Sequence, residues 1–216
     1  MEALHSVVRF FVAGGAFMYP ILLVLTAGTA IAIERYITLT LVRRRNEAMW
    51  SKIQPALASG DFEKAREMTG EDDSTVSKLL GMGLARQGAV RRREDVEIAM
   101  EEVMMEIIPQ LEKRTSYVAL GANIATLLGL LGTIIGLIQG FQAVSNANPA
   151  EKADLLSASI SVAMNTTAFG LIVAIPLLVT HSVLVAKTAE IVDSLEMVSV
   201  KALNVISAAA KRLMAA

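Results

Sequence analysis

Hydrophobic and polar positions are distributed unevenly along this chain. Three long stretches are nearly free of charge: residues 17–42, 117–144 and 155–186. In the first, FMYPILLVLTAGTAIAIERYITLTLV, the uninterrupted apolar part runs only over 19–33. That is shorter than the roughly 20 residues a helix needs to cross a bilayer. Glu34 and Arg35 then intervene, and Arg35 with Tyr36 suits a side chain snorkelling to headgroup depth. The pattern predicts one helix whose later turns leave the bilayer. The second stretch has no ionisable side chain except Tyr117 between Arg114 and Glu151, and the third carries only His181. Both exceed the spanning length, so both project past the bilayer or tilt. Residues 6–14 are too few to span and include Arg9, which fits an interfacial helix. A cleaved leader fits poorly, because Glu2 stands beside a single arginine with no compact basic segment.

Between the first and second stretches the helical pattern continues from Asn46 to Arg114, punctuated by Ser59-Gly60-Asp61 and by residues 69–73. The piece DFEKAREM places Asp61 as an N-cap, Glu63 in the first turn and Gly70 as a stop. Residues 74–87 predict another helix. Residues 94–111 put Val96, Ala99, Met100, Val103, Met104 and Ile107 at helical spacing. This helix is expected to run straight into the second span, with Pro109 as a kink. After the third span, Ile191, Leu195, Val198, Ala202, Val205 and Ile206 form one stripe. Such stripes indicate packing against sister helices.

Composition sharpens the class. Hydrophobic residues make up 54% of the 216 residues, charged ones 19%, and the mean hydropathy is +0.52. A soluble domain has about 45–50% apolar and about 25% charged residues, so the chain reads as an all-α membrane protein with one sizeable aqueous part. The absence of cysteine excludes disulfides and thiolate chemistry, and two histidines leave little for zinc. No metal or cofactor is expected. The arginines cluster as Arg43-Arg44-Arg45, Arg91-Arg92-Arg93 and Lys113-Arg114, whereas the turn at 145–154 has only Lys152. The positive-inside preference puts the long middle block and the C-terminus in the cytoplasm and the N-terminus outside. The expected division is an N-terminal interfacial helix at 1–16, transmembrane helix 17–42 and a cytoplasmic helical region at 43–114. Transmembrane helix 115–144, an outer turn at 145–154, transmembrane helix 155–187 and a cytoplasmic helix at 188–216 follow. Long helices thus extend into the cytoplasm. No aromatic residues interleave with Arg91–Arg93, so the triplet reads as topology, not as a nucleic-acid site. Lys113 and Arg114, near the inner membrane boundary, are candidates for contact with anionic lipid. No phosphate-binding glycine loop, catalytic triad or shielded carboxylate pair is present, and no enzyme is expected.

The second and third spans carry the unusual residues. Gly129, Gly132, Gly136 and Gly140 recur at three- and four-residue steps, with Thr126 and Thr133 on roughly the same face. In the third span Ser159, Ala163, Thr167, Gly170 and Ala174 form a small-residue stripe, and Ser157, Ser161 and Asn165 a polar one. Small residues let helix backbones approach closely. Asn165-Thr166-Thr167 is the most polar triplet within any span, and asparagine is costly in lipid, so it should face protein or water. Thr133 and Thr167 each lie roughly 14–17 Å inside, near the middle of the hydrocarbon core. Such threonines serve either as glue between helices or as the lining of a polar path. Neither span has an acid in its interior, so if protons move here the titrating group comes from another chain.

The chain resembles the MotA/TolQ/ExbB proton-channel family, most closely its ExbB/TolQ branch. The resemblance lies in Gly129-Leu130-Leu131-Gly132-Thr133-Ile134-Ile135-Gly136 of the second span. In the third it lies in Thr167-Ala168-Phe169-Gly170-Leu171 followed by Val173-Ala174-Ile175-Pro176. The order of short N-out span, long basic block and paired long spans is also similar. MotA-type members usually have four spans. The resemblance implies a homopentamer in the bacterial inner membrane enclosing two transmembrane helices of an ExbD/TolR-like partner that supplies a membrane aspartate. Proton flow would then drive work at the cell envelope, with a TonB/TolA-like protein as a further partner. It also implies that Thr133 and Thr167 line the proton path, with Asn165 and Thr166 nearby, while the glycines and Pro176 shape helix packing. Where many relatives have a glutamate five residues before the second threonine, this chain has Val162. A MotA-like stator subunit and a non-conducting scaffold stay open as alternatives.

Overall fold

A computed structural model describes residues 2–86 and 93–215. Arg91 and Arg92 of the second arginine triplet lie outside the described residues. Among those described, the chain forms seven α-helices: α1 (Glu2–Ala13), α2 (Met18–Ser59), α3 (Phe62–Gly70), α4 (Thr75–Arg86), α5 (Arg93–Glu112), α6 (Thr115–Ser145) and α7 (Lys152–Ala215). The fold is all-helical. Three helical stretches are long and apolar enough to cross a membrane, in α2, in Arg93–Ser145 and in Lys152–Ala209. The chain divides into two compact units, one of Met1–Glu34 with Arg114–Val183, the other of Arg35–Lys113 with Leu184–Ala216.

In the first unit, α1 turns into α2 through Gly14 and Gly15. Gly15 has φ +75°, a left-handed conformation that a side chain disfavours. Phe10 and Phe11 of α1 set their rings edge-on to Phe169 of α7, at centroid distances of 6.3 and 5.8 Å. Phe11 also meets Tyr19 at 5.3 Å. These offset geometries suit the ring quadrupoles. Leu177 of α7 fills the space over Gly28 of α2, with its Cδ1 3.0 Å from where a Cβ would stand.

The second unit packs Ile53, Leu57, Leu79, Leu80, Met100 and Leu195 out of solvent. α2 ends at a left-handed Gly60 (φ +79°), where Asp61 N–H reaches back to the Ala56 carbonyl at 3.0 Å. Asp61 then caps α3 by accepting from the Lys64 amide at 3.2 Å, and α3 closes at Gly70, as its local sequence predicts. The cap of α4 is partly long-range. Ser74 Oγ accepts from the Ser77 amide at 3.2 Å, while buried Asn46 of α2 accepts from Thr75 Oγ1 at 2.8 Å and from the Val76 amide at 3.3 Å. Arg43 pairs with Glu47 at 2.9 Å and with Glu190, which together hold its guanidinium pKa above its usual value. Lys187 donates to Thr40 Oγ1 and lies 3.6 Å over the Tyr36 ring.

Two expectations fail here. Arg35 does not snorkel outward: it is 5% exposed, and its Nη2 donates to the Leu111 carbonyl. Leu111 lies in the last turn of α5, where carbonyls lack an intrahelical amide, and a guanidinium is a favourable partner for that helix end. Nor does α5 run straight into α6. Arg114 adopts φ 65°, the left-handed region, and separates the two helices. Pro109 is accommodated inside α5. The interruption therefore falls at the Lys113–Arg114 pair and not at the proline.

Candidate functional site

The contact between α6 and α7 in the first unit is made at glycine. A Cβ on Gly129 would stand 3.3 Å from Gly170 Cα, Thr166 O and Thr167 Cα, all backbone atoms. One on Gly170 would stand 2.7 Å from the Ala125 carbonyl oxygen and 3.0 Å from Gly129 Cα. Gly136 faces Ala163, and Gly140 faces Ser159. The three- and four-residue steps of the glycines therefore become one continuous strip of close helix approach. Pro176 is exposed and α7 continues through it, with Thr180 Oγ1 donating to the Pro176 carbonyl at 2.8 Å.

That close approach brings two hydroxyls together. Thr133 Oγ1 of α6 and Thr167 Oγ1 of α7 are hydrogen-bonded to each other. Both also reach the Gly129 carbonyl, Thr133 at 3.1 Å and Thr167 at 2.9 Å, and Thr133 is 3.4 Å from the Ala163 carbonyl. Bonding back to the carbonyl four residues earlier is ordinary for threonine in a helix. Thr126 does only that, at 3.1 Å to Ala122 O. The cross-helix pair is different, since each hydroxyl meets the other helix. Each of the two is half-buried, so the pair is open on one side.

The remaining polar residues separate. Thr166 is 1% exposed and turned inward, its Oγ1 2.6 Å from the Gly14 carbonyl and 2.9 Å from Val162 O. Asn165 is half-buried, and at 100° per residue it projects about 160° around α7 from Thr167. Its amide has no hydrogen-bond partner among the described residues. Ser157 and Ser161 are exposed. Lys113 and Arg114 are exposed too, with Arg114 Nη1 3.9 Å from the Glu34 carboxylate. Thr166 was read from its sequence neighbours, but its partner Gly14 lies 152 positions away, and only the facing Gly14-Gly15 pair hints at a tight turn. Among the described residues no group of three or more His, Asp or Glu side chains is placed to hold a metal ion.

Chemically, two hydroxyls and a carbonyl can orient a carboxylic acid, a hydrated proton or a file of water. They cannot themselves titrate near neutral pH, and the spans around them contain no Asp or Glu. The site is thus a polar station without an acid of its own.

Residues 71–197 match the profile of the MotA/TolQ/ExbB proton channel family, and that stretch contains both threonines and the whole glycine strip. The chain belongs to the MotA/TolQ/ExbB proton channel family. A putative biopolymer transport protein ExbB homolog from Methanothermobacter thermautotrophicus is 28% identical over 195 residues, covering 89% of this chain and 68% of that protein. The biopolymer transport protein ExbB of Aquifex aeolicus is 31% identical over 111 residues, 51% of this chain and 72% of its own. The Tol-Pal system protein TolQ of Haemophilus influenzae is 34% identical over 84 residues, 39% of this chain and 36% of its own. Membership and three apolar helices make this a multi-pass membrane protein of a channel family.

Proposed function

We propose that this chain is the ring-forming subunit of a proton-driven motor of the ExbB/TolQ kind. It sits in the inner membrane with its N-terminus outside, and residues 43–114 and 188–216 lie in the cytoplasm. Five copies surround the transmembrane helices of an ExbD/TolR-like partner, and a TonB/TolA-like protein carries the output to the cell envelope. The observation that carries the reading is the hydrogen-bonded pair Thr133 and Thr167, half-buried in the apolar stretches 117–144 and 155–186, which contain no Asp or Glu. A carboxyl group on an inserted helix can exchange hydrogen bonds with these hydroxyls as it gains and loses a proton. This supplies the titrating group that the chain does not own. Asn165 projects from the other flank of α7, where a neighbouring copy or the partner helix satisfies its amide; Thr166 supports the path from behind. Lys113 and Arg114 meet anionic headgroups at the inner boundary. The ExbB and TolQ names among the relatives favour this branch over a MotA-like stator.

The test is proton influx into vesicles holding the full-length chain with a single-span partner that bears one membrane aspartate. Wild-type complexes should admit protons under an imposed gradient, and Thr133→Val or Thr167→Val complexes of normal assembly should not. Unimpaired influx in both variants would reject the threonine pair as the proton path, and no influx through the wild-type complex would favour a non-conducting scaffold.

A further inference from the structure

Thr166 occupies a junction of three chain segments within the first unit. Its hydroxyl is 2.6 Å from the Gly14 carbonyl in the α1–α2 turn. Its methyl covers Gly132 of α6, where a Cβ would overlap Thr166 Cγ2 and stand 3.2 Å from Phe17 Cβ. The turn itself is held in place: the Gly14 amide bonds the Phe10 carbonyl at 3.1 Å, and Gly15 is left-handed, with Val162 Cγ1 3.3 Å from where a Cβ on Gly15 would stand. Three positions beyond Thr166, Phe169 is gripped by Phe10 and Phe11. Gly132 immediately precedes Thr133, and Thr166 immediately precedes Thr167. The three-way junction is therefore covalently next to both members of the hydroxyl pair.

We infer that Thr166 is a positioning residue: its bond to Gly14 lets the N-terminal turn set the rotation of α7 against α6, which aims the Thr167 hydroxyl at Thr133. α1 and the turn are then a working part of the ion path and not merely an interfacial anchor. Back-bonding to Val162 alone would leave α7 free to rotate about its axis, because that bond lies within the helix. The Gly14 bond is the one that reads the angle between elements. The inference rests on the reading of the threonine pair as the path only for its consequence, not for its geometry.

Because the chain has no cysteine, the geometry can be read directly. The full-length chain carrying Thr133→Cys and Thr167→Cys is oxidised in its membrane, and the rate of disulfide formation is measured. Adding Thr166→Val, which keeps the shape but removes the hydroxyl, should slow cross-linking roughly three- to tenfold, the scale of one lost hydrogen bond. Thr166→Ser, which restores the hydroxyl, should return the rate to within about twofold of the parent. If Thr166→Val fails to fold, Phe169→Leu tests the same link by loosening the grip of α1, and it should slow the reaction in the same direction. Parent-like rates in the folded Thr166→Val chain, or in Phe169→Leu where Thr166→Val does not fold, overturn the inference. Slowed cross-linking alongside unimpaired proton influx in Thr133→Val and Thr167→Val would uphold the positioning role and reject the proton path.

Discussion

Gly170 and Gly129 face each other across α6 and α7 with no room for a methyl group, since a Cβ on Gly170 would lie 3.0 Å from Gly129 Cα and 2.7 Å from a carbonyl oxygen. The obstructing atoms are backbone, so neither helix can yield locally. Gly170→Ala should therefore push the helices apart and cost about 1–3 kcal/mol, the scale of overpacking. Thermal unfolding in detergent measures it. Gly70→Ala, at a glycine with nothing within 4 Å, is the control expected to change stability little.

Separating α6 from α7 should also part the hydroxyls. Thr133→Val, Thr167→Val and the double variant are expected to reduce proton influx by similar factors, because the two groups act as one hydrogen-bonded unit and their effects are not additive. Influx into vesicles reports this. A double variant whose loss equals the product of the two single losses would show instead that the threonines act independently.

Arg114 holds a left-handed backbone without being glycine. That conformation costs an ordinary residue roughly 1–2 kcal/mol, and a β-branched one is a still worse fit. Arg114→Gly should be more stable than Arg114→Ile by about 1–2 kcal/mol. The exposed contact with Glu34 is lost in both variants and cancels from the comparison. Paired melting curves decide the sign.

Asp72 is expected to give the second unit an acid-sensitive component. Hydrogen bonds from Ser74 hold its carboxyl below the usual carboxylate range, with Ser77 and the charge of Arg45 acting in the same direction. A folded pKa depressed below the unfolded one contributes stability that is present above the unfolded value. That contribution disappears as pH falls through the folded value. Asp72→Asn should flatten the loss of stability below about pH 4 and leave neutral stability only slightly lower. Denaturant midpoints measured from pH 7 downward test it. A wild-type slope retained in Asp72→Asn would assign the acid sensitivity to other carboxylates.

Local sequence determined what depends on neighbours within a turn or two. Charge-free runs mark out the apolar helices because each such helix must be lipid-compatible along its own length. Asp61 and Gly70 bound α3 because caps are satisfied by amides and carbonyls a few residues away. The glycine steps in α6 announced close packing for the same reason, their spacing being a property of one helix. Tertiary structure decided whatever needed a distant partner. Arg35 looks amphipathic in sequence but turns inward, because the carbonyl it caps is 76 positions away. Thr166 and Thr167 are chemical twins, yet one is sealed against Gly14 and the other is half-open beside Thr133. Their neighbour Asn165 goes to the opposite flank, because each residue advances about 100° around a helix. Adjacency along a helix says little about which neighbour a side chain meets; that is set by where the other helices pass.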